Sequence, residues 1–377
     1  MISSVPFVPL ITQRLILRAW TPDDLFAYTA INQDPRVLEF LPGSLTREQA
    51  LEQIKRFNAG IQEYKFGLLA CELKSTGELI GFVGLSIPQF EAPFTPCIEL
   101  GYRLGAQYWG NGYATEAARA VLQFAFRKLN LKEIVAFTVP ANTRSRNVME
   151  KLGMLRNPGD DFQHPKLAEG HPLREHVLYR LTRDQYFKGL LQPIRIDGDL
   201  VLVPVQLDKS QEQFELIDKN RAHLRTWLDW VDLCTDVNNT LEYNKLRVTA
   251  MQEGMGYDFC IRYQNKMVGF IGLHHIEVGI RASTIGYWLD ADMQGKGIMT
   301  RACRALCDWA FEVIGLNRLE IHCAMGNLKS QHIPERLGFV REGVFRDVQW
   351  LYDHYVDHAI YGMLAREWFA LKRGKDA

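Results

Sequence analysis

The sequence predicts an α/β protein of two tandem domains, each with a mixed sheet of the α+β type and helices on both faces. Three observations lead to this fold class. The chain has 377 residues, which is long for a single hydrophobic core. Motifs of the first half return in the second half at a constant spacing. Within each half, the predicted strands and helices follow the same order, which is typical of helices packed on a sheet.

The two halves are related by an offset of 185 residues. Gly110 and Gly112 correspond in this way to Gly295 and Gly297. The same offset relates Leu15 to Leu200, Gly101 and Tyr102 to Gly286 and Tyr287, Asn142 and Ser145 to Asn327 and Ser330, and Leu152 and Gly153 to Leu337 and Gly338. One offset over this length indicates a tandem duplication. We expect domains at 1–186 and 195–377, joined by a short connection near 187–195.

Each half begins with an alternating strand, "RLILRAW" or "LVLVPVQ", which is followed by a polar helical region. A β-hairpin is expected next, because two alternating segments flank a short polar turn. That turn is Ser75–Gly77 in the first half and Gln264–Lys266 in the second.

A strand, a glycine-containing loop and an amphipathic helix form the centre of each half. The strands are "CIELGYRL" and "STIGYWLD", and the loops lie in "QYWGNGYATEA" and "DMQGKGIMTRA". The helices after the loops carry apolar residues at helical spacing. A buried strand then leads to a second helix, which ends at Gly153 or Gly338, each in a position that suits a C-cap.

Composition excludes several classes of protein. Lysine plus arginine equals aspartate plus glutamate at 44 each, so neither nucleic acid nor an anionic membrane is an expected partner. The N-terminus has no signal-peptide pattern, and no apolar run approaches the roughly 18 residues of a membrane span. The seven cysteines show no zinc-site spacing. We expect a cytoplasmic protein with reduced thiols and without a bound metal.

The order of strand, glycine loop and helix start favours binding of an anion, because the first helical amides are unpaired and the helix dipole is positive there. Three nucleotide or metal loops do not fit. Thr115 and Thr300 replace the third glycine of a dinucleotide fingerprint. Gly297 stands where a Walker A loop needs Ser or Thr, and Arg301 stands where a calcium loop needs Glu.

The segment Gln107–Gly112, of the form Q-x-x-G-x-G, resembles the acetyl-CoA loop of GCN5-related N-acetyltransferases (GNAT). The Asn-x-x-Ser motifs at Asn142–Ser145 and Asn327–Ser330 strengthen this resemblance. Both halves are similar to the branch that acetylates the N-termini of ribosomal proteins, and the second half is most similar to ribosomal-protein-serine acetyltransferases. The resemblance covers nearly the whole chain and implies two tandem GNAT domains.

The resemblance implies direct transfer of acetyl from acetyl-CoA, the co-substrate, to a primary amine, without a metal. The acceptor would be a protein N-terminus or a small amine, and the protein would be a monomer or a homodimer. Loop amides would hold the pyrophosphate, strand amides the thioester carbonyl, and the two asparagines the pantetheine arm. The residues implied are Tyr102, Arg103, Leu104, Gln107, Gly110, Asn111, Gly112, Tyr113, Ala114 and Asn142, and in the second half Leu289, Gln294, Gly295, Lys296, Gly297, Ile298, Met299 and Asn327.

The resemblance also implies catalytic residues. Glu99 stands where many family members carry a glutamate that acts as general base through water, whereas the second half has Thr284 there. Ribosomal-protein-serine acetyltransferases place a catalytic glutamate where this chain has Gln349, so a base in the second half would have to be water, Asp347 or His354.

Ser145 and Ser330 are the expected proton donors to the CoA thiolate, and a helix N-cap is the alternative role for each. Two hypotheses on function therefore remain. The chain is an N-acetyltransferase with its better-equipped site in the first half, or one half, the second by these residues, is a non-catalytic module that binds CoA or a peptide.

Overall fold

The computed structural model describes residues 8–277 and 279–373. The chain divides into two compact units, Met1–Tyr186 and Phe187–Ala377, which we call the first and second domains. The segment near 187–195, expected to be a short connection, contains the end of one helix and a short strand.

The first domain is built on one mixed sheet. Its elements are β1 (Leu10–Ile11), β2 (Leu15–Arg18), α1 (Asp24–Ile31), α2 (Pro35–Leu38), α3 (Arg47–Tyr64), β3 (Leu68–Leu73), β4 (Leu79–Ser86), β5 (Glu99–Leu104), α4 (Tyr113–Arg127), β6 (Glu133–Thr138), α5 (Thr143–Lys151), β7 (Leu155–Arg156), β8 (Phe162–Gln163), β9 (Glu175–Thr182) and the start of α6 (Arg183–Leu190). The strand order is β1-β2-β3-β4-β5-β6-β9-β7, and β8 pairs with β9. Strands β5 and β6 are parallel.

The second domain repeats this plan. Its elements are β10 (Ile194–Arg195), β11 (Leu200–Pro204), α7 (Ser210–Lys219), α8 (Arg221–Arg225), α9 (Val237–Glu253), β12 (Tyr257–Tyr263), β13 (Lys266–Glu277), β14 (Ala282–Leu289), α10 (Ile298–Glu312), β15 (Arg318–Ala324), α11 (Leu328–Leu337), β16 (Val340–Leu351), β17 (His354–Leu364) and α12 (Ala365–Arg373). The strand order is β10-β11-β12-β13-β14-β15-β17-β16. Strands β14 and β15 are parallel.

Helices cover both faces of the first sheet. On one face, the rings of Tyr28 in α1 and Phe57 in α3 pack on Phe82 of β4, with centroid distances of 6.3 and 5.8 Å. On the other face, the Tyr102 hydroxyl of β5 donates a hydrogen bond to the Ser145 carbonyl of α5 at 2.9 Å. The predicted fold class, a mixed sheet with helices on both faces, is therefore confirmed.

The second sheet has the same two faces. Phe270 and Trp288 stack at 5.2 Å on one face, where both contact a buried cluster that includes Leu216 of α7. On the opposite face, Tyr287 of β14 donates a hydrogen bond to the Ser330 carbonyl of α11 at 3.1 Å. None of the helices in the described ranges is long and apolar enough to cross a membrane.

Candidate active site

Two central parallel strands separate in each sheet and leave a wedge between them. In the first domain, β5 and β6 are in register only at Glu99 and Val135. In the second domain, the paired part of β14 and β15 ends at Thr284 and Glu320. Beyond these residues, β5 and β14 pair only with the strand on their other side. The wedge opens at the carboxyl ends of the parallel strands, where open α/β sheets bind ligands.

Backbone groups point from β5 into the wedge. The Ile98 carbonyl accepts a hydrogen bond from the Val135 amide at 2.9 Å, and the Gly105 amide donates to the Ile80 carbonyl of β4 at 3.0 Å. Because successive backbone groups alternate along a strand, the Tyr102 amide points away from β4 and into the wedge.

The same alternation applies to β14. The Asp290 amide donates to the Val268 carbonyl of β13 at 2.8 Å. Three residues earlier, the Tyr287 amide therefore faces the wedge of the second domain. Each wedge thus contains an N–H donor that no strand satisfies.

The first glycine loop connects β5 to α4. Gly110 and Gly112 both have φ of 78°, a conformation that favours glycine. The first bond within α4 runs from the Glu116 amide to the Gly112 carbonyl at 3.0 Å. The amides of Tyr113 and Ala114 therefore lack acceptors inside the helix and are available for an anion.

The second loop has the same backbone. Gly295 and Gly297 have φ of 75° and 69°, and the Arg301 amide donates to the Gly297 carbonyl at 3.1 Å. The amides of Ile298 and Met299 consequently have no acceptor within α10. The structure thus gives both expected phosphate loops the same open helix N-terminus.

Charged side chains distinguish the two loops. In the first, Arg14 lies over the Tyr113 ring at 4.5 Å, and its guanidinium is 3.6 Å from the position of a Cβ added to Gly112. Arg14 was not among the residues expected from the sequence. Asn111 is turned into its own loop, where its Nδ2 donates to the carbonyls of Tyr108 and Trp109 at 3.2 and 3.1 Å.

In the second loop, Lys296 occupies the position of Asn111. Its Nζ lies 3.3 Å from the Met293 sulfur, and none of the ion pairs between described residues includes it. Arg301, in the first turn of α10, pairs with Asp197. The ammonium of Lys296 is therefore better placed to meet a phosphate than the amide of Asn111 is.

Three further expected residues use their side chains elsewhere. The Gln107 side chain lies over Gly105, and Arg103 donates a hydrogen bond to Asn32 on the face covered by α1. Gln294 is held between His223 and Lys329 at 2.9 and 2.8 Å. Any contact of Arg103 with acetyl-CoA would therefore use its backbone.

Glu99 lies at the point where β5 leaves β6. Its Oε2 accepts a hydrogen bond from the Ser86 hydroxyl of β4 at 3.0 Å. Surrounding protein atoms bury the carboxyl, and this desolvation raises the pKa of Glu99 to about 7, although the hydrogen bond from Ser86 opposes the shift. A carboxyl with such a pKa is divided between acid and base near neutral pH, as a general base requires.

Ser145 and Ser330 occupy equivalent positions, one turn inside their helices. The N-caps are Asn142 and Asn327, whose Oδ1 atoms accept hydrogen bonds from the amides of these serines, each at 3.1 Å. The capping role is thus filled by the asparagines, which leaves the serine hydroxyls for other contacts.

Each serine hydroxyl meets a buried tyrosine. The Ser145 and Tyr102 hydroxyl oxygens are 2.9 Å apart, and Ser330 Oγ donates to the Tyr287 hydroxyl at 3.1 Å. Burial raises the pKa of both tyrosines, so their hydroxyls stay protonated. Cys323 Sγ is 3.2 Å from Ser330 Oγ.

The open candidates for a base in the second domain lie on the β16–β17 hairpin. His354 is exposed at its tip and pairs with Asp353 at 2.7 Å. It precedes Gly362, the partner of Glu320, by eight residues, which is about 26 Å along an extended strand. Asp347 is exposed, and Gln349 Oε1 is 2.9 Å from His358 Nε2. His354 thus lies far from Glu320, the residue at which β15 leaves β14.

Groups of three or more His, Cys, Asp or Glu side chains that could hold a metal ion are absent from the described part of the chain.

A model of the acetyltransferase (GNAT) domain family matches residues 14–155 and 199–340. The chain is 35% identical over 161 residues to YdaF of Bacillus subtilis, provisionally named a ribosomal N-acetyltransferase, covering 41% of this chain and 85% of that protein. It is 29% identical over 175 residues to the ribosomal-protein-serine acetyltransferase of Escherichia coli, covering 46% of this chain and 98% of that protein.

Among solved structures, a ribosomal-protein α-N-acetyltransferase in complex with coenzyme A is 28% identical and has a TM-score of 0.46. The match covers 47% of this chain and 99% of that one. The microcin self-immunity acetyltransferase MccE, in complex with acetyl-CoA and AMP, is 26% identical with a TM-score of 0.44, and covers 47% and 99%.

Proposed function

The chain belongs to the GNAT acetyltransferase family and is an N-acetyltransferase, and from this premise we propose that its first domain transfers acetyl from acetyl-CoA directly to a primary amine, with Glu99 as general base. The observation that carries this proposal is the position of the Glu99 carboxyl. It lies where the parallel strands separate, and its pKa is raised to about 7.

Acetyl-CoA would bind through the backbone of the loop and the wedge. The amides of Tyr113 and Ala114 at the start of α4 suit the pyrophosphate, and Arg14 adds a positive charge beside them. The pantetheine arm would then run from the loop into the wedge between β5 and β6. In this arrangement the thioester carbonyl comes within reach of the Tyr102 amide.

The chemical step needs a proton acceptor, an oxyanion donor and a proton donor. Glu99, directly or through one water, takes a proton from the ammonium of the acceptor. The free amine attacks the thioester carbon, and the Tyr102 amide stabilises the oxyanion that forms. The C–S bond then breaks, and the thiolate receives a proton from Ser145, which Tyr102 positions at 2.9 Å. The second proton that the amide nitrogen loses restores the serine hydroxyl.

The acceptor we propose is the α-amine of a protein N-terminus. The similarity to the ribosomal-protein-serine acetyltransferase of Escherichia coli supports this acceptor. An α-amine also has an ordinary pKa of about 8, so a base with a pKa of about 7 can deprotonate it at modest cost. A small amine is the second candidate acceptor. The chain has no net charge, which neither favours nor opposes this acceptor.

A panel of acceptors tests the proposal. Peptides that differ in their first residue are compared with small amines, and release of the CoA thiol is measured with the full-length protein. We expect release with at least one N-terminal peptide, and its loss from the first domain in Gly112→Trp. Gly77→Trp is the matched control, because Gly77 also has a positive φ, 73°, but lies in the β3–β4 hairpin turn. Absence of thiol release above background with every acceptor would contradict the proposal.

A further inference from the structure

We propose that the second domain is also catalytic and has its own proton acceptor, the imidazole of His274 held by Asp258. This inference rests on the proposed function, because it assumes that the second glycine loop binds acetyl-CoA as the first does. It concerns the residues that replace Ser86 and Glu99 in the second sheet.

The strand register places His274 at the position of Ser86. In the first domain, Ser86 of β4 is paired with Glu99 of β5. In the second, His274 of β13 is paired with Thr284 of β14. Directly paired residues point to the same face of a sheet, so His274 lies on the face that carries Glu99 in the first domain. The chain has therefore exchanged a serine–glutamate pair for a histidine–threonine pair.

The imidazole is directed toward the wedge. A Cβ added to Gly286, two residues beyond Thr284, would lie 2.8 Å from His274 Cε1 and 3.1 Å from Nδ1. The ring thus lies over the part of β14 that has left β15. A register shift follows His274, and the Ser283 hydroxyl holds its carbonyl at 2.8 Å. Bulges of this kind redirect side chains next to active sites.

Asp258 fixes the imidazole in a form that can accept a proton. His274 Nε2 is 3.1 Å from Asp258 Oδ1, so Nε2 carries the hydrogen and Nδ1 presents its lone pair. Nδ1 has no hydrogen-bond partner among the residues that the structure describes. About a third of the side chain, 35%, is exposed, so an acceptor amine can reach it.

Asp258 is itself buried and held by Arg247 of α9 at 2.6 Å. An ionised Asp258 stabilises the imidazolium that forms when His274 takes a proton. The other titratable groups on this face are Tyr243 of α9, close to Asp258, and Glu320 of β15 with its partner His322, across β14. A buried carboxylate with an arginine on its far side is thus the main charge that faces the imidazole.

Glu320 is a poorer proton acceptor than His274. Burial would raise the pKa of Glu320, but hydrogen bonds from Arg318 and His322, both at 2.8 Å, lower it overall. A carboxylate with a lowered pKa is a weak base near neutral pH. Thr284 has no basic group, and the imidazole of His322 on β15 is held by Glu320. His274 differs from His322 because its Nδ1 lies over Gly286, on the part of β14 that has left β15.

The step balances as in the first domain. His274 Nδ1 takes one proton from the ammonium of the acceptor, and the amine nitrogen forms a bond to the acetyl carbon. The C–S bond breaks, the amide nitrogen loses its second proton, and the thiolate gains one through Ser330 and Tyr287. The imidazolium then returns its proton to solvent.

The test uses the full-length chain with Gly112→Trp, which blocks the first loop, and measures thiol release with acetyl-CoA and every acceptor of the panel. We expect Gly112→Trp to retain part of the activity. Adding His274→Gln should lower the remaining kcat/KM by about 100-fold and leave the affinity for acetyl-CoA unchanged. His275→Gln is the matched control, because His275 is the exposed neighbour in the same bulge.

The pH profile separates catalysis from structure. The acidic limb of kcat/KM in Gly112→Trp should report the imidazole and disappear in His274→Gln. Asp258→Asn should also lower kcat/KM, because Asp258 holds the imidazole through Nε2. If His274→Gln changes neither the rate nor the limb, the inference is wrong.

The outcomes also separate the inference from the proposed function. If the unmodified chain releases thiol but Gly112→Trp releases none while one acetyl-CoA site still binds, the second domain is a non-catalytic module and the inference fails alone. If the unmodified chain releases none with any acceptor, the proposed function fails and the inference fails with it.

Discussion

The Glu116 carboxylate accepts two hydrogen bonds from Arg14, one from its backbone amide at 2.8 Å and one from Nε at 2.7 Å. This pair joins the residue before β2 to the first turn of α4, directly after the glycine loop. In the second domain the charges are reversed, because Arg301 takes the position of Glu116 and pairs with Asp197. Two copies of one loop thus present different electrostatic fields to the same kind of anion.

Electrostatic attraction should contribute more to CoA binding at the second loop than at the first loop. Each loop has one arginine paired with a carboxylate, Arg14 with Glu116 and Arg301 with Asp197, so the difference in net charge is Lys296 against Asn111. We expect Lys296→Met to weaken CoA binding at one site by about fivefold at low salt, which corresponds to about 1 kcal/mol for an exposed ion pair. Calorimetric titration of the full-length chain with CoA at two salt concentrations measures this.

Lys266→Met is the control for that change, since Lys266 is an exposed lysine at the turn between β12 and β13. The difference between Lys296→Met and the unmodified chain should shrink at high salt, because salt screens exposed charges. An equal effect of both substitutions, or one that salt does not alter, would argue against a phosphate contact of Lys296.

Glu99→Gln should lower kcat/KM of the first domain by about 100-fold or more, because glutamine fills the same space but takes no proton. The unmodified first domain should show an acidic limb near pH 7, with activity rising as Glu99 loses its proton, and the variant should lack it. The measurement is thiol release against pH in a chain whose second loop is blocked by Gly297→Trp.

Glu91→Gln serves as the control, because Glu91 is exposed in the segment between β4 and β5. It should keep the unmodified pH profile. A limb near pH 7 that persists in Glu99→Gln would assign that ionisation to another group.

The raised pKa of Glu99 also predicts a pH dependence of stability. The folded state holds the proton more tightly than the unfolded state does, so the stability that this group contributes is complete below about pH 4.5. It is lost as pH rises through about 7. We expect Glu99→Gln to remove this dependence and to stabilise the first domain by about 1–3 kcal/mol at pH 8.

Calorimetric melting of both chains at pH 5 and pH 8 provides the check, with the transition of each domain followed separately. The melting temperatures of the two chains should differ more at pH 8 than at pH 5. If the melting temperatures of the two chains differ more at pH 5 than at pH 8, the pKa of Glu99 is not raised in the folded protein.

Substitutions in Asn142 and Ser145 should have separable effects. Asn142 caps α5, so Asn142→Ala should lower the stability of the first domain by about 1 kcal/mol. Ser145→Ala removes no cap and should lower kcat by about 10-fold or more at little change in melting temperature, because the thiolate loses its proton donor. Thermal melting and steady-state kinetics on both variants distinguish the roles, and the reverse pattern would make Ser145 structural.

Much of the architecture follows from the sequence. The constant offset, the alternating strands and the two glycine loops predict the tandem mixed sheets, and the expected membership of the GNAT family is confirmed. These features are local, because strand alternation, loop glycines and helical spacing are each contained in a short segment of chain. Element bounds differ from expectation by a few residues at their ends, where caps and turns decide them.

The partners of the candidate catalytic groups could not be predicted in the same way. Whether Ser86 faces Glu99, or His274 faces Thr284, depends on hairpin register, and a shift by one residue would turn each side chain to the opposite face. Arg14 reaches Glu116 across about a hundred residues of sequence. Such contacts are fixed by packing, and a single sequence contains no signal for them.

The wedge gives each sheet an edge in its interior. An exposed strand edge can pair with a strand of another chain. Here the open edges of β5 and β14 are shielded, because β6 and β15 beyond them belong to the same sheet. The hydrogen bonds that β5 and β6 do not form weaken the empty domain, and a ligand that forms them stabilises it further as the ligand concentration rises above Kd. Amide hydrogen exchange at Tyr102 and Tyr287 therefore offers a direct gauge of how far each domain is loaded.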